Sequence, residues 1–231
     1  MKRTIEISIL LLFLLSIFSC KKDKDIDRVN ISDGDGNVYD TITIGTQTWL
    51  TENLKTTKYN DGTPIPPVTD ANVWSNLTTP GYCWYDNNES AYKATYGALY
   101  NWYAINPNSN GNKNICPTGW HVPSNNDFID LANYLGGINV AGGKMKETGT
   151  VHWLAPNTGA TNESNFTGLP GGQRNESGVF TDMGLGGVFW SSTPYNSIKP
   201  WYRSLYYSNP NLFVGNGCLN IRGFSIRCIK D

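Results

Sequence analysis

The sequence predicts an α+β fold of short twisted antiparallel strands, two helices and a long loop-rich region. Three observations predict it. Periodic segments run in the order strands, two helices, a stretch without periodicity, then strands again, which is the segregated order of an α+β domain. Only 16% of residues are charged, against roughly 25% for an average soluble protein, yet the mean hydropathy is −0.38. Gly, Asn, Thr and Ser carry that polarity, with 24 Gly among 231 residues, a composition of turns and short strands rather than long charged helices. The length suits one domain or two small ones, with one preferred, and no internal repeat is seen.

The chain begins with an export signal. Lys2 and Arg3 form a positive n-region, and Ile7 to Phe18 follow as a mostly apolar run. About a dozen residues fall short of the roughly 20 that span a bilayer as a helix. The run ends at Ser19-Cys20, and a small residue before Cys at that place predicts a bacterial lipoprotein signal. Ile17 and Phe18 stand where Leu and a small residue are usual, so an ordinary signal peptide cut nearby is the alternative. On the lipoprotein reading residues 1–19 are removed and Cys20 carries the acyl chains that anchor the protein. Residues 20–35, opening with Lys21-Lys22-Asp23-Lys24-Asp25, are then a charged flexible tether. The expected location is the outer membrane, on the cell surface or the periplasmic face.

Val38 to Leu50 alternates β-branched and small polar residues, which predicts a hairpin turning at Gly45 with Ile42 and Ile44 on one face. Tyr59-Asn60-Asp61-Gly62 reads as a turn, and Pro64, Pro66 and Pro67 exclude regular structure after it. Tyr92, Tyr96, Leu99, Tyr100 and Tyr103 form one helical stripe, predicting a helix over 91–104 that Gly97 weakens. The second helix starts at the N-cap Ser124, buries Phe128, Leu131, Ala132 and Leu135, and stops at Gly136-Gly137. Residues 137–187 show little periodicity and read as loops with a few short strands, a length of irregular chain that is often functional. Strands return at Val188–Ser192, Trp201–Tyr207 and Phe224–Ile229. In the last, Phe224, Ile226 and Cys228 share one face and Ser225 and Arg227 the other.

Several functions are excluded or unsupported. A net charge of −1 and a pI of about 6.1 argue against a nucleic-acid binder with a basic surface. The two histidines, His121 and His152, lack the spacing of a zinc site, and no metal role is expected of them. There is no nucleophile elbow, no phosphate loop and no dinucleotide fingerprint. Asp33, Asp35 and Asn37 occupy positions 1, 3 and 5 of a calcium-type loop, but Ile44 stands where an EF-hand needs Glu. Calcium is therefore only an open option, and no other cofactor is expected. Setting Cys20 aside, Cys83, Cys116, Cys218 and Cys228 allow up to two disulfides in an exported domain, with three pairings open.

The aromatics stand out. Trp74, Tyr82, Trp84, Tyr85, Trp190, Trp201, Tyr202, Tyr206 and Tyr207 all lie outside the predicted helices. Flat rings bind sugars and protein hot spots, with neighbouring Asn and Asp supplying directional hydrogen bonds. A chain with few Leu and Val also needs aromatics for its core, so about two-thirds of these rings are expected to be at least half-buried.

Together these segments resemble the Fibrobacter succinogenes major paralogous domain, a module of exported bacterial lipoproteins, over residues 36–231. The resemblance rests on Ile44-Gly45-Thr46-Gln47 with Trp49, Tyr82-Cys83-Trp84-Tyr85, Tyr96-Gly97-Ala98-Leu99-Tyr100-Asn101-Trp102-Tyr103, Leu169-Pro170-Gly171-Gly172, Trp190-Ser191-Ser192-Thr193 and Gly223-Phe224-Ser225-Ile226-Arg227-Cys228. Its most diagnostic block is Cys116-Pro117-Thr118-Gly119-Trp120-His121-Val122-Pro123. That family in turn looks like the C-type-lectin-like fold, especially the formylglycine-generating enzymes. The resemblance implies a Cys116–Cys228 disulfide and leaves Cys83 to pair with Cys218. Cys218 and Cys228 do not match the reactive pair of formylglycine-generating enzymes, so that activity is not carried over.

The expectation is a non-enzymatic, lipid-anchored envelope protein whose loops bind glycan or protein. Its candidate ligand-binding residues are Trp84, Asp86, Asn87, Trp190 and Trp201. The alternatives are a structural or adhesive surface protein, or an enzyme acting on polysaccharide. On the leading reading, Ala at Trp84 or Trp190 abolishes binding and spares the fold; general unfolding would place these rings in the core.

Overall fold

A computed structural model describes residues 31–196 and 199–231. The signal segment 1–19, the lipidation site Cys20 and the first part of the predicted tether, up to residue 30, lie outside the described residues; residues 31–35, expected as tether, instead form a paired strand and a turn that belong to the domain. Among the described residues, no helix is long and apolar enough to cross a membrane.

The architecture is α+β with mostly antiparallel sheets. β1 (Ile31–Ser32) pairs with β2 (Val38–Tyr39) around the Asp33 turn. β3 (Thr41–Ile44) and β4 (Gln47–Leu50) form the predicted hairpin, with Gly45 at φ 64°. Ile44 is buried and Ile42 packs against the same core. α1 (Ala71–Ser75) follows the proline-rich loop and buries Trp74. β5 (Tyr82–Cys83), a 3₁₀ turn over Tyr85–Asn87, α2 (Glu89–Tyr96) and β6 (Leu99–Tyr100) come next, and β5 pairs with β6.

Here the helix predicted over 91–104 is corrected. It ends at Gly97, which takes φ 74° and ψ −167°. A Cβ at Gly97 would lie 2.5 Å from the Leu54 carbonyl oxygen, so only glycine fits. The chain then extends: Ala98 N–H donates to Leu54 and Tyr100 exchanges two hydrogen bonds with Phe224. The stripe of tyrosines was a true local periodicity that long-range strand contacts overrode.

A second 3₁₀ turn over Trp102–Ala104 and the short α3 (Pro107–Asn110) precede β7 (Trp120–His121). α4 (Asn125–Tyr134) starts at the predicted cap. Ser124 and Asp127 exchange side-chain to backbone hydrogen bonds in a capping box. Phe128, Leu131 and Ala132 are buried, as the spacing requires.

The region expected to be loops and short strands also holds α5 (Ile138–Met145). Two glycines lower its helix propensity, and packing makes up for it. Gly142 and Gly143 let the helix sit directly against the backbone of Asn211 and Gly159. β8 (Gly171–Arg174), β9 (Phe180–Met183), β10 (Gly186–Asn196), β11 (Lys199–Tyr206), β12 (Asn209–Gly215) and β13 (Ile229–Lys230) complete the chain. One sheet has the order β12-β11-β10-β8-β9, with a parallel β8–β10 contact; another has the order β3-β4-β13-β7 and is antiparallel. The N-terminal hairpin is thereby paired with the C-terminal strand, Trp49 opposite Ile229.

Buried cations hold the irregular segments. Lys146 Nζ donates to the carbonyls of Thr158, Tyr206 and Asn209. The Arg174 guanidinium donates to Val68, Thr69 and Gly178. Arg227 donates to Asn53 Oδ1 and the Phe166 carbonyl, and Arg203 to Asn125 Oδ1 and the Tyr202 carbonyl. All four are almost fully buried, and none forms an ion pair among the described residues. Burial pulls Lys146 down to about 8 and Arg227 to about 9. Loop carbonyls that no ladder can satisfy find donors here, and Arg227, on the face opposite Phe224, Ile226 and Cys228, is as buried as they are.

Cys116 and Cys228 are joined by a disulfide, as the resemblance implied. The second implied pair is corrected: Cys83 and Cys218 are free and buried in separate parts of the core. Burial pushes each thiol up to about 12.

Candidate functional site

The five candidate binding residues do not form one surface. Trp190 has no exposed area, its Nε1 donates to the Tyr100 carbonyl at 2.6 Å, and its ring lies 4.2 Å from that of Phe224. Trp84 is 7% exposed and packs edge-on to Tyr82. Both are core residues in this structure, which corrects the expectation of open rings. The reason is the one composition suggested: in a chain short of large aliphatics, tryptophans fill the volume. Asp86 and Asn87 are exposed on the 3₁₀ turn with φ 49° and 54°, a left-handed conformation that Asp and Asn tolerate. Asn87 Nδ2 donates to the Thr69 carbonyl. Trp201 is half-buried, edge-on to the exposed Tyr195 near the far end of the β10–β11 pair.

The Trp84–Asn87 block does lead into a cleft. Asn88 caps α2, its Oδ1 accepting from Ala91 N–H and Ser90 Oγ, and the first turns of that helix form one wall. Asn37, Lys55, Glu89, Ser90, Lys93 and Ala94 enclose about 630 Å³, within the range of small-ligand sites. Its two lysines share a construction. Lys93 Nζ lies 5.2 Å above the Trp84 ring and pairs with Glu89 at 2.8 Å. Lys55 Nζ lies 5.5 Å above the Tyr39 ring and pairs with Glu52. Each ammonium thus caps an aromatic ring and is held by a carboxylate on its own segment. The walls carry donors and acceptors in balance. Sequence reasoning missed both lysines; the spacing of Glu89 and Lys93, one helical turn apart, was the available signal.

The Asp33–Asn37 loop borders this cleft through Asn37, and its oxygens are engaged. Asp33 accepts from the backbone of Asp35 and Asn37, the Asn37 amide and, at 2.5 Å, the Tyr39 hydroxyl. Asp35 pairs with Lys58 and accepts from Thr57 N–H. Burial and the neighbouring Asp33 push the Tyr39 hydroxyl far above its ordinary value, so it remains a donor. The predicted calcium-type spacing instead builds a turn that fixes Tyr39 under Lys55. Among the described residues no group of three or more His, Cys, Asp or Glu is placed to hold a metal ion.

His121 lies between two carboxylates, Nδ1 2.7 Å from Asp231 and Nε2 3.5 Å from Asp127. Ser192 lines the same cleft of about 220 Å³, but both ring nitrogens face carboxylates rather than the hydroxyl. His152 is held by Glu147 at 2.8 Å and stands edge-on to Tyr96. Both are hydrogen-bonded histidines.

Compared with known proteins, the chain matches the Fibrobacter succinogenes major domain over residues 42–230. No curated protein and no solved structure matches it.

Proposed function

Because the chain belongs to the Fibrobacter succinogenes major domain family, we propose that it serves as a lipid-anchored outer-membrane protein whose lectin-like domain binds glycan without catalysis. The anchor is Cys20, and the segment between it and β1 sets the domain off from the membrane. The ligand site is the cleft between Asn37, Lys55 and the first turns of α2. One observation carries this reading: two lysines of the cleft wall each lie over an aromatic ring, Tyr39 or Trp84, at the edge of the core.

Magnitudes favour an exchangeable cover. A surface pair such as Lys93–Glu89 contributes about 0.3–0.5 kcal/mol, and an exposed cation–π contact about 0.5–1 kcal/mol. Swinging Lys93 aside therefore costs about 1 kcal/mol. Trp84 is itself only 7% exposed, so the area comes mostly from the apolar face of the sugar and the lysine stems of the wall; about 100 Å² removed from water returns about 2.5 kcal/mol. Glu89, Ser90, Asn37 and the displaced ammonium then serve the sugar hydroxyls.

The test is a glycan-array screen of the mature protein with calcium and again with EDTA. Binding that survives EDTA and is lost in Ser90→Trp, which fills the cleft from an exposed position, is the expected result. Binding lost with EDTA relocates the ligand to the Asp33–Asn37 loop. No binding in either buffer overturns the glycan reading and leaves a protein partner or a structural role.

A further inference from the structure

A second cleft lies away from that surface, and its argument is independent of the glycan reading. It encloses about 490 Å³ between the end of α1 and the segment leading out of β12. Leu77, Tyr103, Leu219 and Ile221 give it apolar walls. Within those walls sits one buried polar side chain with neither a hydrogen bond nor an ion pair among the described residues. Asn220 is only 9% exposed, and its Oδ1 is buried with no hydrogen bond. Its backbone is spoken for, since the carbonyl accepts from Trp102 N–H at 2.7 Å. Its side-chain amide makes no hydrogen bond to the described residues.

A buried amide left unpaired weakens a fold, and native structures pair such groups almost without exception. We infer that this cleft is a binding site for a neutral phenol ring, whose hydroxyl completes the Asn220 amide while the ring packs on Tyr103, Leu219 and Ile221. The two ends of an amide are told apart only by their partners. As placed, Asn220 Oδ1 has almost no accessible surface, so the amide turns toward the cleft on binding, and a hydroxyl, which both donates and accepts, pairs with whichever end it presents.

The walls select against the other ligand classes. A pyranose brings several hydroxyls, and all but one or two would face Leu77, Leu219 and Ile221 unpaired. An ionised ligand finds no net charge. Glu176, at the rim, pairs with Arg222 at 2.7 Å, and the hydrogen bond from Arg222 holds its carboxyl below the ordinary value. The two opposite charges cancel at the rim. The phenol has two sources, a free small molecule or a tyrosine side chain of a peptide.

The experiment is a methyl-resolved NMR titration of the full-length chain with p-cresol, toluene, methyl glucoside and the capped tripeptide Gly-Tyr-Gly. p-Cresol should shift the methyl signals of Leu77, Leu219 and Ile221 and bind about threefold to tenfold more tightly than toluene, the worth of one hydrogen bond. Asn220→Leu should erase that difference. Leu219→Lys, at a position 47% exposed and so safe for the fold, should weaken p-cresol and toluene alike. Tripeptide binding as tight as p-cresol assigns the site to a tyrosine side chain; weaker tripeptide binding assigns it to free phenols. Equal binding of p-cresol and toluene, unmoved methyl signals, or a preference for methyl glucoside would overturn the inference.

Discussion

Gly142→Ala sets helix propensity against packing, and the two predict opposite signs. In an exposed helix the change stabilises by about 1 kcal/mol. In α5 the added Cβ would lie 2.1 Å from the Asn211 carbonyl oxygen and 2.4 Å from its carbon. Ordinary contact begins near 3.4 Å, so the helix must withdraw by about 1.3 Å or the strand must bend. Neither is easy, because the obstruction is β12 backbone held on both sides, by the pairs of Asn209 with Tyr206 and of Phe213 with Ser204. Withdrawal also loosens Ala141, Met145 and Leu212, which share one core cluster. Overpacking costs about 1–3 kcal/mol, and the upper end applies where no side chain can turn aside. The net expectation is a loss of about 2 kcal/mol, which lowers the melting temperature by about 4–8 °C for a domain of this size. Urea unfolding should show a lower midpoint with an unchanged slope. Asn139→Ala, at an exposed position of the same helix, should by contrast gain about 0.5 kcal/mol. A stabilised Gly142→Ala would refute the claim that close approach to β12 is what keeps this residue glycine.

Three further outcomes follow from the same structure. Trp190→Ala should cost about 3–5 kcal/mol and be seen as global unfolding in circular dichroism, whereas Trp201→Ala should cost less than about 1 kcal/mol; similar losses at both sites would contradict their burial. Cys116→Ser with Cys228→Ser opens a loop spanning 112 residues and should cost about 2–5 kcal/mol, matched by dithiothreitol acting on the native chain in thermal melts. Cys83 and Cys218 should resist iodoacetamide until the chain unfolds. Their folded thiols stay protonated to about 12 while unfolded thiols ionise near 9. Between those values the unfolded chain binds fewer protons, so stability falls as pH rises; a flat urea midpoint from pH 8.5 to 10.5, set against a variant with Ser at both positions, would count against their burial.

What was legible in the sequence was local. The hairpin at Gly45 and the Ser124 cap each depend on residues a few positions apart, and each stands where the pattern put it. The family blocks, and through them the Cys116–Cys228 bond, were legible as resemblance. The end of α2 was not, because Gly97 stops the helix through contact with Leu54, which is remote in sequence. The helix α5 was hidden for the same reason: its glycines look like loop residues until β12 is laid against them. Of the candidate site, the sequence pointed to the Trp84–Asn87 block but not to the lysines that cover the cleft.

Composition determined that aromatics must build much of the core, and spacing determined where short elements could start. Neither could decide which tryptophans fill the interior. That choice rests on long-range partners, such as the Tyr100 carbonyl that takes the Trp190 N–H. The buried cations follow the same rule. Nothing in the sequence singled out Lys146 as a core cation, and only the tertiary structure brought it and Arg227 the carbonyls of distant loops. Local periodicity reports what a segment prefers by itself; burial is settled by which segments meet, and those meetings span most of the chain.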